Sequence, residues 1–471
     1  MNRTIIEFRN HVSLSGDPTL SVRPIEPRDV QKRHGSQAIQ CDLSRPPYQE
    51  LTNAVTAVGG ALNSELVKTV GSHLYSELKR HPGVDDALNR AVRSPPADSW
   101  PVEFHIEPLS GIESLPLESL YHPSGQFLAF DKRFSPVRVV TSNERSSSRA
   151  FRLPLRMTAV LAAEGLDHFG EWHALRDAIE AAQLPVELTI FLAEDNLEAS
   201  IAGEALAWVK TVRVPNATDK FIREIEATEP QVLHFFTHGT VSEGGYLEVM
   251  TAAMAAGHGG HPLAIAVSHL RMLLDEVLLI TLNACESGKP SIGGSSMAYD
   301  LVEAGAAAAI GAREVIDNRD ANEFCRSLYL AAFSNLAQQC VRNVQFELNW
   351  SPYLVSAREA LCSSSGGGLA INRAGSCKSW TLPVLYQCVE PVMITIIGTQ
   401  ATEEETSSPD SVDDAGMLDT EGQRLDETLD EINLLTRALV GLHPDTEESV
   451  VRGIEQRLES LKSRLTTSAV Q

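Results

Sequence analysis

The sequence predicts an α/β fold: a mostly parallel sheet flanked by helices on both faces, followed by a C-terminal helical hairpin. Three observations carry this. Short apolar runs recur at 157–161, 186–192, 232–237, 277–282 and 307–312. Helical patterns lie between most of them: Phe169, Trp172, Leu175 and Ile179 after the first, Phe221, Ile222 and Ile225 after the second, Leu301 and Val302 after the fourth. Strands alternating with helices require crossover connections, and so a parallel sheet covered on both sides. Near the C-terminus, Leu425, Leu429, Ile432, Leu435 and Leu439 recur at helical spacing. His443 and Pro444 then break the pattern before Val451, Ile454, Leu458, Leu461 and Leu465, whose spacings of three and four suit a narrow seam against a partner helix.

The chain has 471 residues, 43% of them hydrophobic, enough for two domains of ordinary size. Residues 1–59, rich in Pro, Arg and Ser with little periodicity, are expected to be a loosely structured N-terminal extension. Residues 60–395 form the main domain, divided into a smaller part at 60–155 and a core at 156–395. From Leu51 to Val92 the spacing of Val55, Leu62, Leu66, Val70, Leu74 and Leu78 predicts helices, and 100–105 and 127–130 predict extended blocks. Residues 396–423 read as an acidic linker too poor in apolar side chains to offset the entropy of ordering, and 424–466 as the hairpin.

Charge excludes some function classes. The formal net charge is −23, a field of the wrong sign for general attraction to nucleic acid or anionic lipid. Residues 402–431 alone carry 11 of those negative charges, so the main domain is only mildly acidic. The longest apolar runs fall well short of the roughly 20 residues that cross a bilayer. The N-terminus mixes Arg3, Glu7 and Arg9 into its apolar residues, unlike a secretory signal. Seven irregularly spaced cysteines fit reduced thiols and a cytoplasmic location.

Ligands of parallel sheets sit outside the carboxyl ends of the strands. There the third run ends in His238-Gly239 and the fourth in Asn283-Ala284-Cys285-Glu286-Ser287-Gly288. Adjacent strands would bring His238 and Cys285 to neighbouring loops. An imidazole beside a thiol favours the thiolate and can deliver a proton to a leaving nitrogen. Gly239 permits close approach, and the N–H groups of Gly239 and Cys285 would form an oxyanion hole.

Three blocks then resemble the CHAT family of caspase-like cysteine peptidases, relatives of caspases, separases and gingipains. They are Val232-Leu-His-Phe-Phe-Thr-His-Gly239, Leu278-Leu-Ile-Thr-Leu-Asn-Ala-Cys-Glu-Ser-Gly288 with Gly293-Gly-Ser-Ser-Met-Ala298, and Val302-Glu-Ala-Gly-Ala306 through Ile310-Gly-Ala312 to Tyr329. Weaker matches are Leu115-Pro-Leu-Glu-Ser-Leu-Tyr121 and Trp380-Thr-Leu-Pro383. The resemblance implies a caspase-like fold and a Cys285–His238 dyad that cleaves a partner protein with no metal or other cofactor. It also implies a place in bacterial defence or regulated cell death. By the same analogy Glu164, Asn283 and Asp317 line the pocket for the residue before the scissile bond, where two carboxylates would favour Arg or Lys.

Competing constellations are weaker. His234 and His238 are four apart, His258 and His261 three apart, but a long loop separates the pairs and no carboxylate stands at ligand spacing. His234 is therefore expected in the second shell behind His238, with no metal. Gly293-Gly294-Ser295-Ser296 does not fit a nucleophile elbow, so Ser295 or Ser296 is expected to cap the following helix. The alternative function is a non-catalytic adaptor with the same fold. In either case the hairpin is expected to recruit a regulatory protein.

Overall fold

Alternation of side chains along each strand distributes the apolar residues to two faces, and the sheet they build is the frame of the site. In the computed structural model, the described residues are 4–12, 18–25, 37–39, 65–93, 102–106, 113, 115–133, 135–141, 148–240, 245–289, 295–342, 345–364, 374–390 and 392–397. Among them twelve strands form one sheet: β1 (Thr4–Val12), β2 (Pro18–Ile25), β3 (Gln37–Ile39), β4 (Val102–Ile106), β5 (Val137–Val140), β6 (Leu155–Leu161), β7 (Val186–Leu192), β8 (Val209–Arg213), β9 (Val232–Phe236), β10 (Leu279–Asn283), β11 (Ala308–Ala312) and β12 (Pro383–Cys388). Their spatial order is β8-β7-β6-β9-β10-β11-β12-β5-β4-β1-β2-β3. Neighbours are parallel from β8 to β11 and again from β12 to β1. They are antiparallel where β11 meets β12 and along β1-β2-β3.

The helices are α1 (Leu66–Leu78), α2 (Pro82–Arg93), α3 (His168–Ala182), α4 (Asp195–Glu204), α5 (Thr218–Glu226), α6 (Met297–Glu303), α7 (Asn318–Arg342) and α8 (Ser351–Ser364), with short single turns besides. On one face Met157, Ala159 and Leu161 of β6 pack with Trp172, Leu175 and Ile179 of α3 and with Leu328 and Phe333 of α7. On the other, Val160, Leu233, Phe235, Ile280 and Leu282 pack with Phe221 and Ile225 of α5 and Leu301 and Val302 of α6. The period-two split between faces is what a doubly covered parallel sheet requires. Helix α3 starts where the Asp167 side chain accepts the Gly170 N–H, and α6 where Ser296 accepts the Tyr299 N–H at 3.2 Å. The expected serine cap is thus Ser296.

The five central runs become β6, β7, β9, β10 and β11, β7 with the bounds expected and the others with ends shifted by one or two residues. Other expectations are corrected. The N-terminal extension is not loosely structured throughout: β1, β2 and β3 join the main sheet, β1 parallel to β4, because Ile6 and Phe8 are buried in its core. Residues 127–130 are not an extended block. Gln126–Phe127 pairs with Tyr121–His122, and Leu128–Phe130 tightens into a 3-10 turn that packs Phe127 and Phe130 against Trp380. Trp380, in the second of the weaker matching blocks, lies in a similar turn before β12. Strand Val392–Ile397 runs two residues into the segment read as linker. The rest of the acidic linker and the hairpin lie outside the described residues. Among those described, no helix is long and apolar enough to cross a membrane.

Candidate active site

In the parallel pairing of β9 with β10, Phe236 stands opposite Asn283. His238 and Cys285 each lie two residues farther on, so both emerge at the same edge of the sheet from adjacent strands. Both are half-buried. Gly239 abuts the Cys285 segment directly. A Cβ built on it would fall against the Cys285 carbonyl oxygen, closer than real Cβ atoms come, with the Ala284 side chain next. Any side chain at 239 would push these two segments apart, which is the physical reason for glycine here.

His238 Nε2 lies 2.7 Å from the main-chain oxygen of Glu164, in the loop after β6. A carbonyl only accepts, so Nε2 carries the hydrogen in the neutral ring and Nδ1 keeps its lone pair. The Glu164 segment is itself held: the Ala163 N–H donates to His168 Nε2 at 2.9 Å, and His168 Nδ1 faces Glu194 at 3.4 Å. Burial pushes the His168 imidazole below its usual range, keeping Nε2 free to accept, while Glu194 acts in the opposite direction.

Burial pushes the Cys285 thiol above its ordinary range and the Glu286 carboxylate adds to this. The N–H groups of Ile316 and of Cys285 itself hydrogen-bond the sulfur and act in the opposite direction. The resting group is therefore a thiol, and a base must take its proton. Immediately after it the chain turns through a left-handed Glu286, φ 57°. The Ser287 hydroxyl donates to the Leu282 and Ala284 carbonyls and accepts the Ala312 N–H at 3.0 Å, while the Gly288 N–H donates to the Ala312 carbonyl at 2.8 Å. These bonds fasten the Cys285 turn to the end of β11.

The CHAT domain model matches residues 68–354, more than half of the chain. This chain belongs to the CHAT domain family. The resemblance carried by the three motif blocks is borne out. Similar solved structures include two of the Saccharomyces cerevisiae separase–securin complex. One shares 11% identity over 68% of this chain and 17% of that chain, TM-score 0.34; the other shares 10% over 84% and 30%, TM-score 0.41. A third is the Arg specific cysteine proteinase gingipain R, with 9% identity over 70% and 75%, TM-score 0.37. This CHAT chain spans less than a third of either separase chain. No curated protein sequence matches it.

The residues expected to select the substrate in this CHAT domain separate. Asn283 is buried and turned inward: its Nδ2 donates to Glu171 Oε1 at 2.9 Å and to the Ala321 carbonyl at 3.2 Å. Its amide thus lies under α3; residues two apart on a regular strand would share a face, but β10 ends at Asn283, so Cys285 lies beyond the strand and emerges at the sheet edge while Asn283 stays inward. Asp317 is half-buried before α7, and its Oδ1 accepts the Arg319 N–H at 2.9 Å in the manner of a helix cap. Glu164 is exposed, and it is its carbonyl that touches His238, a main-chain role that side-chain chemistry could not reveal. His234 is fully buried between Glu171 Oε1, 2.9 Å from its Nε2, and the Tyr329 hydroxyl, 3.2 Å from its Nδ1. His258 and His261 are exposed, so the two histidine pairs do not combine. A small cleft lined by Gly239, Thr240, Tyr246, Glu286, Ser287 and Met297 runs beside the dyad positions.

Proposed function

We propose that this CHAT domain is a cysteine endopeptidase in which Cys285 is the nucleophile and His238 the general acid and base. The observation that supports it best is the orientation of His238 by the Glu164 carbonyl, on the strand edge it shares with Cys285. With Nε2–H anchored, Nδ1 takes the thiol proton as the sulfur attacks a peptide carbonyl. The N–H groups of Cys285 and Gly239 stabilise the oxyanion. His238 then protonates the departing amine and, as a base, activates the water that releases the acyl group. The protonated resting thiol makes this base obligatory.

The carboxylates of Glu164 and Asp317 favour substrates with Arg or Lys before the scissile bond, with Asn283 acting from beneath by holding Glu171. Two experiments test the reading. An acyloxymethyl ketone peptide should label wild-type chain and neither Cys285→Ala nor His238→Ala. Absence of selective labelling under every condition would favour the adaptor. A peptide library should show cleavage after basic residues, and Glu164→Ala should relax that preference while sparing turnover, because the His238 anchor is main-chain. Cleavage confined to sites after apolar residues would sink the specificity proposal.

A further inference from the structure

Beneath the dyad, on the inner face of the sheet, Glu171 of α3, His234 of β9 and Cys325 of α7 converge. All three have 0% exposure, and one ligand-type atom from each lies within 4.8 Å of the others. The three elements are packed together, α3 directly on α7. No spacing in the sequence could have paired these residues, which lie 63 and 91 positions apart.

Their outward-facing atoms are satisfied, and of the inward-facing ones Glu171 Oε2 and His234 Nε2 make no hydrogen bond. The Tyr329 hydroxyl donates to Thr281 Oγ1 at 2.8 Å, so its oxygen accepts from His234 Nδ1, 3.2 Å away. That fixes the hydrogen on Nδ1 and leaves Nε2 with a lone pair. Nε2 stands 2.9 Å from Glu171 Oε1 yet makes no hydrogen bond there, and Glu171 Oε2 has no hydrogen-bond partner either. Oε1 is steadied from outside by Asn283 Nδ2 at 2.9 Å. The Cys325 sulfur completes the group, its thiol in contact with Glu171. A buried carboxylate oxygen and an imidazole nitrogen that face each other without a donor in line cost free energy unless something electropositive lies between them.

We infer that Glu171, His234 and Cys325 bind a single borderline-soft divalent metal ion, of which zinc is the best fit. Thiolate, imidazole and carboxylate are the donors such ions take, whereas magnesium and calcium prefer all-oxygen sets. The surrounding bonds are those of a metal site's outer shell: the ring nitrogen that does not ligate donates to Tyr329, and the carboxylate is held by Asn283. On binding, the Cys325 S–H bond breaks, a sulfur–metal bond forms and the proton leaves to solvent. One carboxylate and one thiolate balance the charge of the divalent ion. The ion ties β9 to α3 and α7, four residues before His238, so its role is structural. The inference does not depend on peptidase activity.

The test uses the full chain, purified with a histidine-free affinity tag and no chelator. Plasma mass spectrometry should find about one zinc per chain, retained in Cys285→Ala and largely lost in Glu171→Gln and Cys325→Ser. Cobalt exchange should produce a thiolate-to-cobalt charge-transfer band. Cys325→Asp, which keeps a ligand and so should fold, should hold the metal but lose that band. A folded wild-type chain that carries no metal and takes up neither zinc nor cobalt overturns the inference. So does metal content unchanged in Cys325→Ser with the band intact. An inactive chain that holds zinc at these residues leaves the metal site standing and counts only against the peptidase reading.

Discussion

Gly239→Ala is the sharpest probe of the dyad geometry. The added methyl would meet the Cys285 carbonyl oxygen inside the 3.0 Å that real Cβ atoms keep, with the Ala284 side chain at 3.4 Å behind it. Both obstacles belong to the nucleophile segment, and the oxygen is main-chain, so no side-chain rotation relieves the clash. The His238-Gly239 strand and the Cys285 turn must separate by something approaching 1 Å. A misplacement of about 1 Å between reacting groups costs on the order of 100-fold in rate, whereas overpacking of this kind costs about 1–3 kcal/mol of stability. Gly239 has no positive φ, so the effect is one of space, not of backbone strain. The assay is the second-order rate of Cys285 labelling by an acyloxymethyl ketone, read beside thermal unfolding. Gly203→Ala is the control: Gly203 is exposed near the end of α4 with nothing within 4 Å of an added Cβ, so the labelling rate should stay unchanged and stability should not fall, helix propensity favouring Ala by up to about 1 kcal/mol. A Gly239→Ala chain that labels at the wild-type rate would refute the argument that His238 and Cys285 act as a unit set by this contact.

Three further outcomes follow from the same structure. In His238→Ala, alkylation of Cys285 by iodoacetamide should rise only above the ordinary thiol value of 9.0, since burial raises the thiol and no imidazole remains to take its proton; a midpoint below that value would contradict it. Burial pushes the Glu113 carboxyl up to about 7 despite opposing help from Arg138 and the Tyr386 hydroxyl. A folded-state value above the unfolded one means that stability is lost as pH rises from 4.5 through about 7, by roughly 3 kcal/mol. Glu113→Gln should remove that loss, so urea unfolding of variant and wild type should diverge in the variant's favour between pH 5 and pH 8. Arg138 donates to Glu118 through Nε and Nη2 at 3.1 and 3.0 Å, and to the Glu113 and Leu115 carbonyls, all in the interior. Arg138→Met should cost about 3–5 kcal/mol by stranding the Glu118 charge, and Arg138→Met/Glu118→Leu should recover much of it; equal loss in both variants would contradict the pairing.

How much of this was legible in the sequence depended on whether the signal was local. Runs such as 232–236 are buried on both faces and read as strands without reference to anything else, and Phe169, Trp172, Leu175 and Ile179 mark the packed side of α3 by their spacing. That His238 and Cys285 follow adjacent strands was legible for the same reason, both being punctuation after such runs. The N-terminal strands were not, because β1 interleaves Glu7 and Arg9 with its apolar residues and becomes a strand by pairing with β4, almost a hundred residues away. Trp380 and Phe130 carry strand-like apolar character, but their rings close on each other at 4.6 Å from 3-10 turns, a tertiary contact that overrides propensity. The surroundings of Asn283 and His234 come from α3 and α7, which neither the fold analogy for Asn283 nor the shared strand face of His234 and His238 announces.

Helix α3 explains why the site can be assembled from such distant segments. Its first turn does three separate things. Asp167 caps it and so fixes where it begins. His168 takes the Ala163 N–H, one residue before the carbonyl that orients His238. Glu171, three residues on and therefore on the same helical face, reaches His234 on β9 and Asn283 on β10 together. One carboxylate can do this because paired strands lie about 4.8 Å apart, so a single group set over the seam contacts both. The strand that leads to Cys285 is thereby held from below through Asn283, the strand that leads to His238 is in contact with the same side chain, and the neighbouring histidine holds the loop whose carbonyl meets the His238 ring. The placement of His238 and Cys285 is thus referred to one rigid element, and a change of helical phase at 167–171 would disturb both positions together.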